Sequence, residues 1–365
     1  MSEMGIGDTF DRLCRPFEGP NTIGNTRRFW IGFVVVVLAL LGYPIGFGGY
    51  AASSAALYLL YAILGLSLSI IWGYTGILSF GQVVFFGIAG YSFALISMNL
   101  SSTLTTMLAL PISVAVATIA SLVLGYFMFY GEVRDVYVTI LTLVVSIVMN
   151  TFMAQTAGSE WTVGSVALGG FNGIPAIPSL TFSVGDASVV LDGSSFYWFT
   201  LIALLVVYLG LRALVNGRFG YTMVATREDE DRTEMLGYDV RRIKLLVFGL
   251  GGALAGFAGV LYATWGNYVS PSVFGITFAS IPVVWVAVGG RRSLLGAVVA
   301  TVVIEWFRQQ LSATGSQYAM VIVGAVLLLA ILFVPEGVIP RLNVALLNVR
   351  DRSETTPDSP DGTPE

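Results

Sequence analysis

Histidine is absent from this 365-residue chain, and cysteine occurs once, as Cys14. A single cysteine excludes an internal disulfide. Without histidine or further cysteines, the usual transition-metal sites and histidine-based acid–base chemistry are excluded as well. Lys244 is the only lysine and completes no GxxxxGK[ST] loop, so a nucleotide site of that type is absent from the sequence. We therefore expect no catalytic site, no metal site and no bound cofactor.

Charge is also scarce, and long uncharged runs take its place. Charged residues make up 11% of the chain and hydrophobic residues 56%, with a mean hydropathy of +0.82. A membrane-crossing helix needs ~20 consecutive apolar residues, and by that measure the sequence predicts an all-α polytopic membrane protein with about ten transmembrane helices. The predicted spans are 29–47, 51–73, 80–99, 105–129, 136–156, 196–214, 243–265, 273–290, 294–311 and 317–334.

The arginines predict the orientation, because short cytoplasmic loops carry an excess of basic residues. With both termini in the cytoplasm, the arginine-bearing loops all fall on the inner side, whereas the external segment 157–195 has three acids and no base. Arg212, at the inner end of its span, is expected to snorkel to the interface. Arg308 lies near the outer end of a span, where we expect it to pair with Glu305 one turn earlier.

The predicted organisation has three parts. Residues 1–28 form a cytoplasmic leader, residues 29–340 a transmembrane domain, and residues 341–365 a cytoplasmic tail. The first span is interpreted as a retained anchor, since a mostly polar leader precedes it and no small-residue cleavage site follows. The tail is predicted to be disordered from residue 353, because it is polar, acidic and contains proline.

The densest charge lies in the predicted cytoplasmic loop 217–244, where six acids and six bases fall within 218–244. Thr226 is placed as an N-cap, acids follow in the first turn, where the helix dipole favours them, and Gly237 is a natural stop. The sequence therefore predicts a helix over 227–236, ~15 Å long. Two interpretations fit: a solvated loop that only sets topology, or a helix that passes force to a soluble partner through charge pairing.

Glycines alternate with polar residues in 72–82, which is polar for membrane depth. Non-helical backbone is tolerated at that depth only where it faces protein or a cavity. The candidate substrate path consists of Tyr74, Thr75, Gly76, Ser79 and Gln82. A short cytoplasmic turn with small-residue helix packing is the alternative.

Two further glycine-rich segments have different interpretations. Helix packing is favoured for the first, which holds Gly249, Gly251, Gly252, Gly256 and Gly259. The second lies in the external segment 157–195, which is too long for a mere connection. We interpret it as a candidate external gate or a contact for a solute-binding protein, with a plain structured loop as the alternative; its residues are Gly169, Gly170, Asn172 and Gly173.

The charged loop and the span after it, residues 218–263, read RFGYTMVATREDEDRTEMLGYDVRRIKLLVFGLGGALAGFAGVLYA. This segment resembles the permeases of ABC importers for branched-chain amino acids and urea. Thr233, Glu234 and Met235 depart from the family's alanine-rich version, and no proline closes the motif. The positions that match the family pattern are Phe219, Gly220, Ala225, Arg227, Glu228, Glu230, Leu236 and Gly237.

Five further motifs resemble family signatures and occur in the family's order along the chain. They are WGYTGILSFGQVVFFGIAGY at 72–91, EVRDVYVTILTL at 132–143, LGGFNGI at 168–174, VWVAVGGRRSLLGAVV at 284–299 and FVPEGVI at 333–339.

The resemblance implies a permease subunit in a prokaryotic cytoplasmic membrane that has no ATPase activity of its own. Separate cytoplasmic ATP-binding subunits would bind ATP and magnesium. A second homologous permease subunit, an extracytoplasmic solute-binding protein and membrane lipid are the other expected partners, and nucleic acid is not expected. The loop implied to dock the ATPase contributes Arg227, Glu228, Asp229, Glu230, Asp231, Glu234 and Gly237.

The sequence leaves more than one substrate and more than one transport mechanism open. Branched-chain amino acids are the commonest family substrate, while the VWVAVGG run and the LGY after the charged helix resemble the branch that transports urea. Spans almost without charge favour an external energy source over ion coupling, with the path exposed alternately to each side. A passive channel for a neutral solute such as urea would explain those spans but not the charged helix. A membrane-embedded enzyme would need a buried acid, histidine or metal cluster.

Overall fold

The computed structural model describes residues 14–100, 103–158, 160–184, 187–313 and 324–325. Ten helices in these ranges build the fold: α1 Arg27–Leu68, α2 Gln82–Asn99, α3 Thr103–Tyr130, α4 Asp135–Gln155, α5 Gly193–Asn216, α6 Arg218–Glu228, α7 Glu230–Met235, α8 Val240–Gly266, α9 Ile276–Gly289 and α10 Leu294–Ala313. Seven of the described helices are long and apolar enough to cross a membrane. The prediction of an all-α polytopic membrane protein is confirmed.

Helix α1 holds two of the predicted spans, 29–47 and 51–73. As a straight helix its 42 residues would be about 63 Å long. Yet the hydroxyl of Tyr74, just after its C-terminal end, donates to the carbonyl oxygen of Asn21, just before its start, at 3.1 Å. The chain reverses at Gly48, whose φ of 80° and ψ of 172° are readily adopted by glycine alone. The helix therefore forms a hairpin, and its two halves run in opposite directions.

Helices α2, α3, α4, α5, α8 and α10 agree with predicted spans to within three residues at each end. The span predicted at 273–290 differs, because α9 has only 14 residues, ~21 Å, and a 3₁₀ turn at Pro271–Phe274 precedes it. That is short of the ~30 Å hydrocarbon core. The predicted span 317–334, the FVPEGVI motif, the tail 341–365 and leader residues 1–13 lie outside the described residues, apart from 324–325.

Helix α8 lies at the centre and packs against α1, α2 and α3. Its glycines permit the close approach of these neighbours. A Cβ atom on Gly259 would collide with the carbonyl oxygen of Phe86, and one on Gly256 would lie 2.7 Å from the Cβ of Ala117. The helix-packing role predicted for the five glycines of this segment is confirmed, since a Cβ on any of them would meet a neighbouring element.

The loops form two groups at opposite ends of α8. At its N-terminal end, Arg241 pairs with Glu132 at 2.7 Å. At its C-terminal end, the side chain of Asn267 donates to the carbonyl oxygen of Ile177 at 2.7 Å. The first group carries the arginines of the predicted cytoplasmic loops, and the second contains the predicted external segment. This separation is the one that the positive-inside rule predicts, while the orientation in the membrane stays a prediction.

Candidate functional site

The charged loop forms two helices rather than the one predicted over 227–236. Helices α6 and α7 meet at Asp229, whose backbone is extended and whose carboxylate accepts from the backbone N–H of Arg232 at 2.9 Å. Thr226, the predicted N-cap, is instead buried inside α6, where its hydroxyl donates to the carbonyl oxygen of Thr222. The prediction was wrong because a buried face through Met223 and Thr226 carries α6 on to Glu228.

Gly237 ends this pair of helices, as predicted. Its φ is 87°, in the left-handed region that favours glycine. The backbone N–H of Gly237 donates to the carbonyl oxygen of Glu234 at 2.8 Å, and that of Tyr238 donates to Thr233 at 3.3 Å. We call residues 218–237 the coupling segment.

Two of the acids in the coupling segment contact basic residues outside the segment. Glu230 pairs with Lys244 at 2.5 Å, where α7 lies against α8. Glu228 pairs with Arg227 at 2.6 Å and lies 3.6 Å from Arg292, in the loop before α10. The hydrogen bond and charge of Arg227, together with the charge of Arg292, lower the pKa of Glu228 below its ordinary value. These pairs attach the coupling segment to two other parts of the bundle.

Another set of coupling-segment residues is presented to the outside. Asp231 and Glu234 form no ion pair within the described residues, and Met235 and Leu236 are 86% and 70% exposed. Beside them, a cleft of about 460 Å³ opens between α7, the start of α8 and the loop after α3. The charged residues that line it are Glu132, Arg134, Glu230, Asp231, Glu234, Arg241 and Lys244.

Arg227 points away from this surface, into the protein. Its guanidinium donates to the carbonyl oxygen of Gly73 at 2.5 Å, and its side chain is 15% exposed. Gly73 ends a π-helical turn, Ser69–Gly73, and the chain from there to α2 is mostly irregular. At Gly76, with a φ of 83°, a Cβ atom would lie 3.2 Å from the Cγ of Arg227. Arg227 thus joins the coupling segment to the break between α1 and α2.

This break contains the candidate substrate path, and most of its polar side chains bond within the chain. The hydroxyl of Tyr74 donates to Asn21, and that of Thr75 donates to the carbonyl oxygen of Ile71 at 2.7 Å. Ser79 accepts from the N–H of Gly81 at 3.1 Å. Gln82 differs: it is 1% exposed, and neither its amide oxygen nor its amide nitrogen has a hydrogen-bond partner among the described residues.

A line of polar residues on α4 fixes the break, and sequence reasoning missed it. The hydroxyl of Thr142 accepts from the N–H of Phe80 at 3.1 Å, and that of Thr139 donates to the carbonyl oxygen of Leu78. Further along the same face, Ser146 and Asn150 donate to the 3₁₀ turn before α9. Their spacing of three or four residues in an apolar span is the signal that predicts one polar helix face.

The glycine-rich external element is a folded loop. Gly169, Gly170 and Gly173 all have positive φ values, and Gly170 to Asn172 form a 3₁₀ turn. Asn172 is exposed, and the neighbouring Phe171 is 79% exposed. The surrounding segment contains short antiparallel pairs that the sequence did not predict: β1 Thr162–Val163 with β2 Val166–Ala167, β3 Ile174–Pro175 with β6 Tyr268–Val269, and β4 Thr181–Val184 with β5 Ala187–Val190.

Arg212 is not the snorkelling residue predicted from the sequence. It is 1% exposed, and its guanidinium donates to the carbonyl oxygens of Phe17 and Gly24, each at 2.6 Å. The prediction failed because the residues before α1 fold back over the end of α5. In contrast, the pairing predicted for Arg308 and Glu305 is confirmed at 2.5 Å.

No group of three or more histidine, cysteine, aspartate or glutamate side chains placed to hold a metal ion occurs in the described parts of the chain.

Apolar helices of membrane-spanning length, a polar break between two of them and a charged coupling segment attached to that break define a membrane permease. The chain belongs to the family described as branched-chain amino acid transport system / permease component, whose model matches residues 50–331. It is accordingly an integral membrane protein.

The chain is similar to three named permeases. It is 28% identical over 356 residues to the high-affinity branched-chain amino acid transport system permease protein LivM of Escherichia coli (strain K12), covering 91% of this chain and 81% of that protein. With the probable branched-chain amino acid transport permease protein LivM of Methanocaldococcus jannaschii it shares 24% over 325 residues, 77% of this chain and 90% of that one. It is 25% identical over 298 residues to LivH of Escherichia coli (strain K12), covering 78% and 92%. No solved structure matches the chain.

Proposed function

We propose that this chain is the permease subunit of an ABC importer that moves a branched-chain amino acid across the cytoplasmic membrane. Separate ATP-binding subunits drive the movement, and the path is exposed alternately to each side. The observation that carries the proposal is the bond from Arg227 to Gly73, because it connects a charged, exposed segment to the break that contains the candidate path. A passive channel has no need of such a connection.

The ATPase docks on α7 and the cleft beside it. Asp231 and Glu234, which form no ion pair within the described residues, supply charge, and Met235 and Leu236 supply the exposed apolar surface that a partner would bury. Glu228 and Glu230 are bonded within the chain and serve instead to hold the segment in place. The predicted docking set therefore has two parts. Asp231 and Glu234 contact the ATPase, whereas Glu228 and Glu230 hold the coupling segment against the rest of the chain.

The solute passes the break at residues 74–82. Gln82 is the path residue whose side chain has no hydrogen-bond partner among the described residues, whereas the hydroxyls of Tyr74 and Thr75 donate, and that of Ser79 accepts, within the chain. A carboxamide that is buried and unpartnered costs free energy, so a solute that bonds to it regains that cost during passage. Both a carboxylate and an ammonium group can bond to a carboxamide.

Branched-chain amino acids are preferred over urea because the relatives reported above are named for their transport. The binding protein would deliver the solute at the external face, where Phe171 and Asn172 are exposed. A second, homologous permease would complete the pore; in support, the chain is similar to two different permease proteins, LivM and LivH, of one organism, Escherichia coli (strain K12).

Uptake of labelled leucine and labelled urea by a deletion strain, with and without the restored chain, tests the substrate. Leucine uptake that depends on the chain supports the proposal, whereas urea uptake alone contradicts the substrate but not the family. Co-purification from the native host tests the partners. If the chain purified in detergent carries no ATP-binding subunit and still transports solute after reconstitution into liposomes, the passive channel would be indicated.

A further inference from the structure

The residues before α1 are bonded to the end of α5 through a buried arginine. Besides the carbonyl oxygens of Phe17 and Gly24, the Arg212 guanidinium reaches the side-chain oxygen of Asn25 at 3.3 Å and the hydroxyl of Tyr208 at 3.1 Å. It also lies 4.8 Å from the ring centre of Phe29 and 4.9 Å from that of Trp30. Arginine suits this position because its planar group has five donors and stacks on aromatic rings.

Asparagines complete the attachment one turn further along α5. The side chain of Asn216 donates to the carbonyl oxygen of Phe17 at 3.1 Å and to the hydroxyl of Thr22 at 2.9 Å. In return, the side chain of Asn21 donates to the carbonyl oxygen of Val215 at 2.7 Å. The coupling segment begins two residues after Asn216, so these bonds fix its base.

The same short segment also reaches the break. The carbonyl oxygen of Asn21 accepts from the hydroxyl of Tyr74, the first residue of the candidate path. Asn21 therefore touches the base of the coupling segment with its side chain and the start of the path with its backbone. The match to the family model begins at residue 50, so residues 14–26 lie outside the part that defines the family.

We propose that residues 14–26 are a fixed brace, held by Arg212, that keeps the start of the substrate path in position while the coupling segment moves. Tyr74 and Arg212 are then positioning residues for the coupling of ATP hydrolysis to transport. This inference rests on the proposed function. Arg227, in the coupling segment that moves, bonds to Gly73, whereas Asn21, in the fixed brace, bonds to Tyr74. Movement of the coupling segment therefore changes the backbone conformation of the break between these two neighbouring residues.

The first experiment measures solute imported per ATP hydrolysed by the assembled complex in proteoliposomes. Tyr74→Phe removes one hydrogen bond and keeps the ring, and we expect the ratio to fall about fivefold, the effect of one hydrogen bond, with ATPase activity and the KM for solute unchanged. Tyr208→Phe is the matched control. It removes the hydrogen bond between Arg212 and Tyr208 but leaves the bonds from Arg212 to residues 14–26 intact. Its ratio should match the wild type.

Several results would overturn the brace. Tyr74→Phe could leave the ratio unchanged, lower transport and ATP hydrolysis in proportion, or raise the KM alone, as loss of a substrate contact would. An equal loss in Tyr208→Phe would show that the guanidinium acts only within α5. Leucine and urea are both supplied, so that failure of leucine import contradicts the proposed substrate while the ratio is still measured with the other solute.

The second experiment uses Cys14, the only cysteine of this chain, to report on how closed the brace is. Cys14 lies at the start of the brace and is 8% exposed. Wild-type complex should react slowly with a maleimide, at the same rate with and without ATP. Arg212→Gln should react about tenfold faster, because several bonds that close the segment are lost. An ATP-dependent rise in the wild-type rate would show that the segment moves in the cycle and would rule out a fixed brace. Equal rates in wild type and Arg212→Gln would rule out its attachment through this arginine.

Discussion

Arg227 and Gly73 are 154 residues apart in the sequence and are joined by a hydrogen bond of 2.5 Å from guanidinium to carbonyl oxygen. The same guanidinium pairs with Glu228, so one side chain connects the end of α6 to the break after α1. The resemblance assigned Arg227 to the docking surface. Under the proposed function, its contacts favour a role in transmission, and the docking surface lies on α7.

Arg227→Gln should lower solute uptake about tenfold, and Arg227→Lys should give an intermediate loss, because a lysine cannot hold a carbonyl and a carboxylate with one planar group. A tenfold change corresponds to ~1.4 kcal/mol, close to the lower end, about 1.5 kcal/mol, of the contribution of one charge-assisted hydrogen bond. Initial uptake rates per reconstituted complex are the measurement. Arg28→Gln is the control, since Arg28 is an exposed arginine on α1, outside the coupling segment and outside residues 14–26. Full uptake by Arg227→Gln would contradict a role in transmission.

Charge reversal on α7 separates docking from folding. The double variant Asp231→Lys/Glu234→Lys should retain its thermal stability, because both acids lack an ion pair in the described structure, but should recover less than a tenth of the ATP-binding subunit on co-purification. Glu160→Lys, an exposed acid in the loop group at the other end of the molecule, should co-purify normally. Undiminished recovery by the double variant would place the docking surface elsewhere.

The pH dependence of Glu228 follows from its lowered pKa. Since the pKa of the folded state lies below that of the unfolded state, the ionised carboxylate stabilises the protein above its unfolded pKa, and this is lost as the pH falls through the folded pKa. Melting temperatures of wild type and Glu228→Gln in detergent should therefore differ by a constant amount from pH 8 to 6. The difference should shrink below pH 4.5. A difference that grows on acidification would contradict the assigned pairing.

Gln82 gives a prediction in which stability and function change in opposite directions. Because the buried amide has no partner among the described residues, Gln82→Leu should raise the melting temperature, relieving ~1–2 kcal/mol, while it lowers uptake and raises the KM for solute. Ser113 on α3 is the matched control, because its buried hydroxyl also has no hydrogen-bond partner among the described residues. Ser113→Ala should leave uptake unchanged. If Gln82→Leu destabilised the protein, the amide would have a structural partner; if uptake were unchanged, it would not line the path.

Sequence reasoning found what depends on local composition and missed what depends on distant contacts. Six of the predicted apolar spans and the stop at Gly237 follow from residues close together in the chain, and these agree with the structure. The cap moved from Thr226 to Asp229 because burial of α6 outweighed a capping preference that both residues satisfy. Arg212 was misplaced because its acceptors come from a segment almost 200 residues earlier, which no local pattern reveals.

The break itself was partly predictable. Glycines between polar residues in 72–82 indicated irregular backbone, and Gly76 with its positive φ confirms that interpretation. Which polar side chain lacks a partner was not predictable, because Tyr74, Thr75, Ser79 and Gln82 can all form hydrogen bonds and only the contacts of the folded chain distinguish them. The polar face of α4 was readable from the spacing of Thr142 and Ser146, although its role depends on its contacts with the break and with the turn before α9.

Substitution of Glu305 tests whether transport is driven by ATP or coupled to ions, because a buried acid in a span is the usual relay of an ion-coupled transporter. It is 2% exposed, pairs with Arg308 at 2.5 Å and accepts from the indole N–H of Trp285 at 3.2 Å.

If the ion pair is structural, Glu305→Gln should retain uptake, and collapse of the proton gradient at constant ATP should not affect either protein. Arg308→Gln should destabilise the protein by about 2 kcal/mol, less than the roughly 3–5 kcal/mol of a fully buried pair because Arg308 is 41% exposed. The double variant should recover most of that loss, since no buried charge is left unpaired. Uptake abolished in Glu305→Gln, with normal assembly and ATP hydrolysis, would instead assign the acid a role in moving protons.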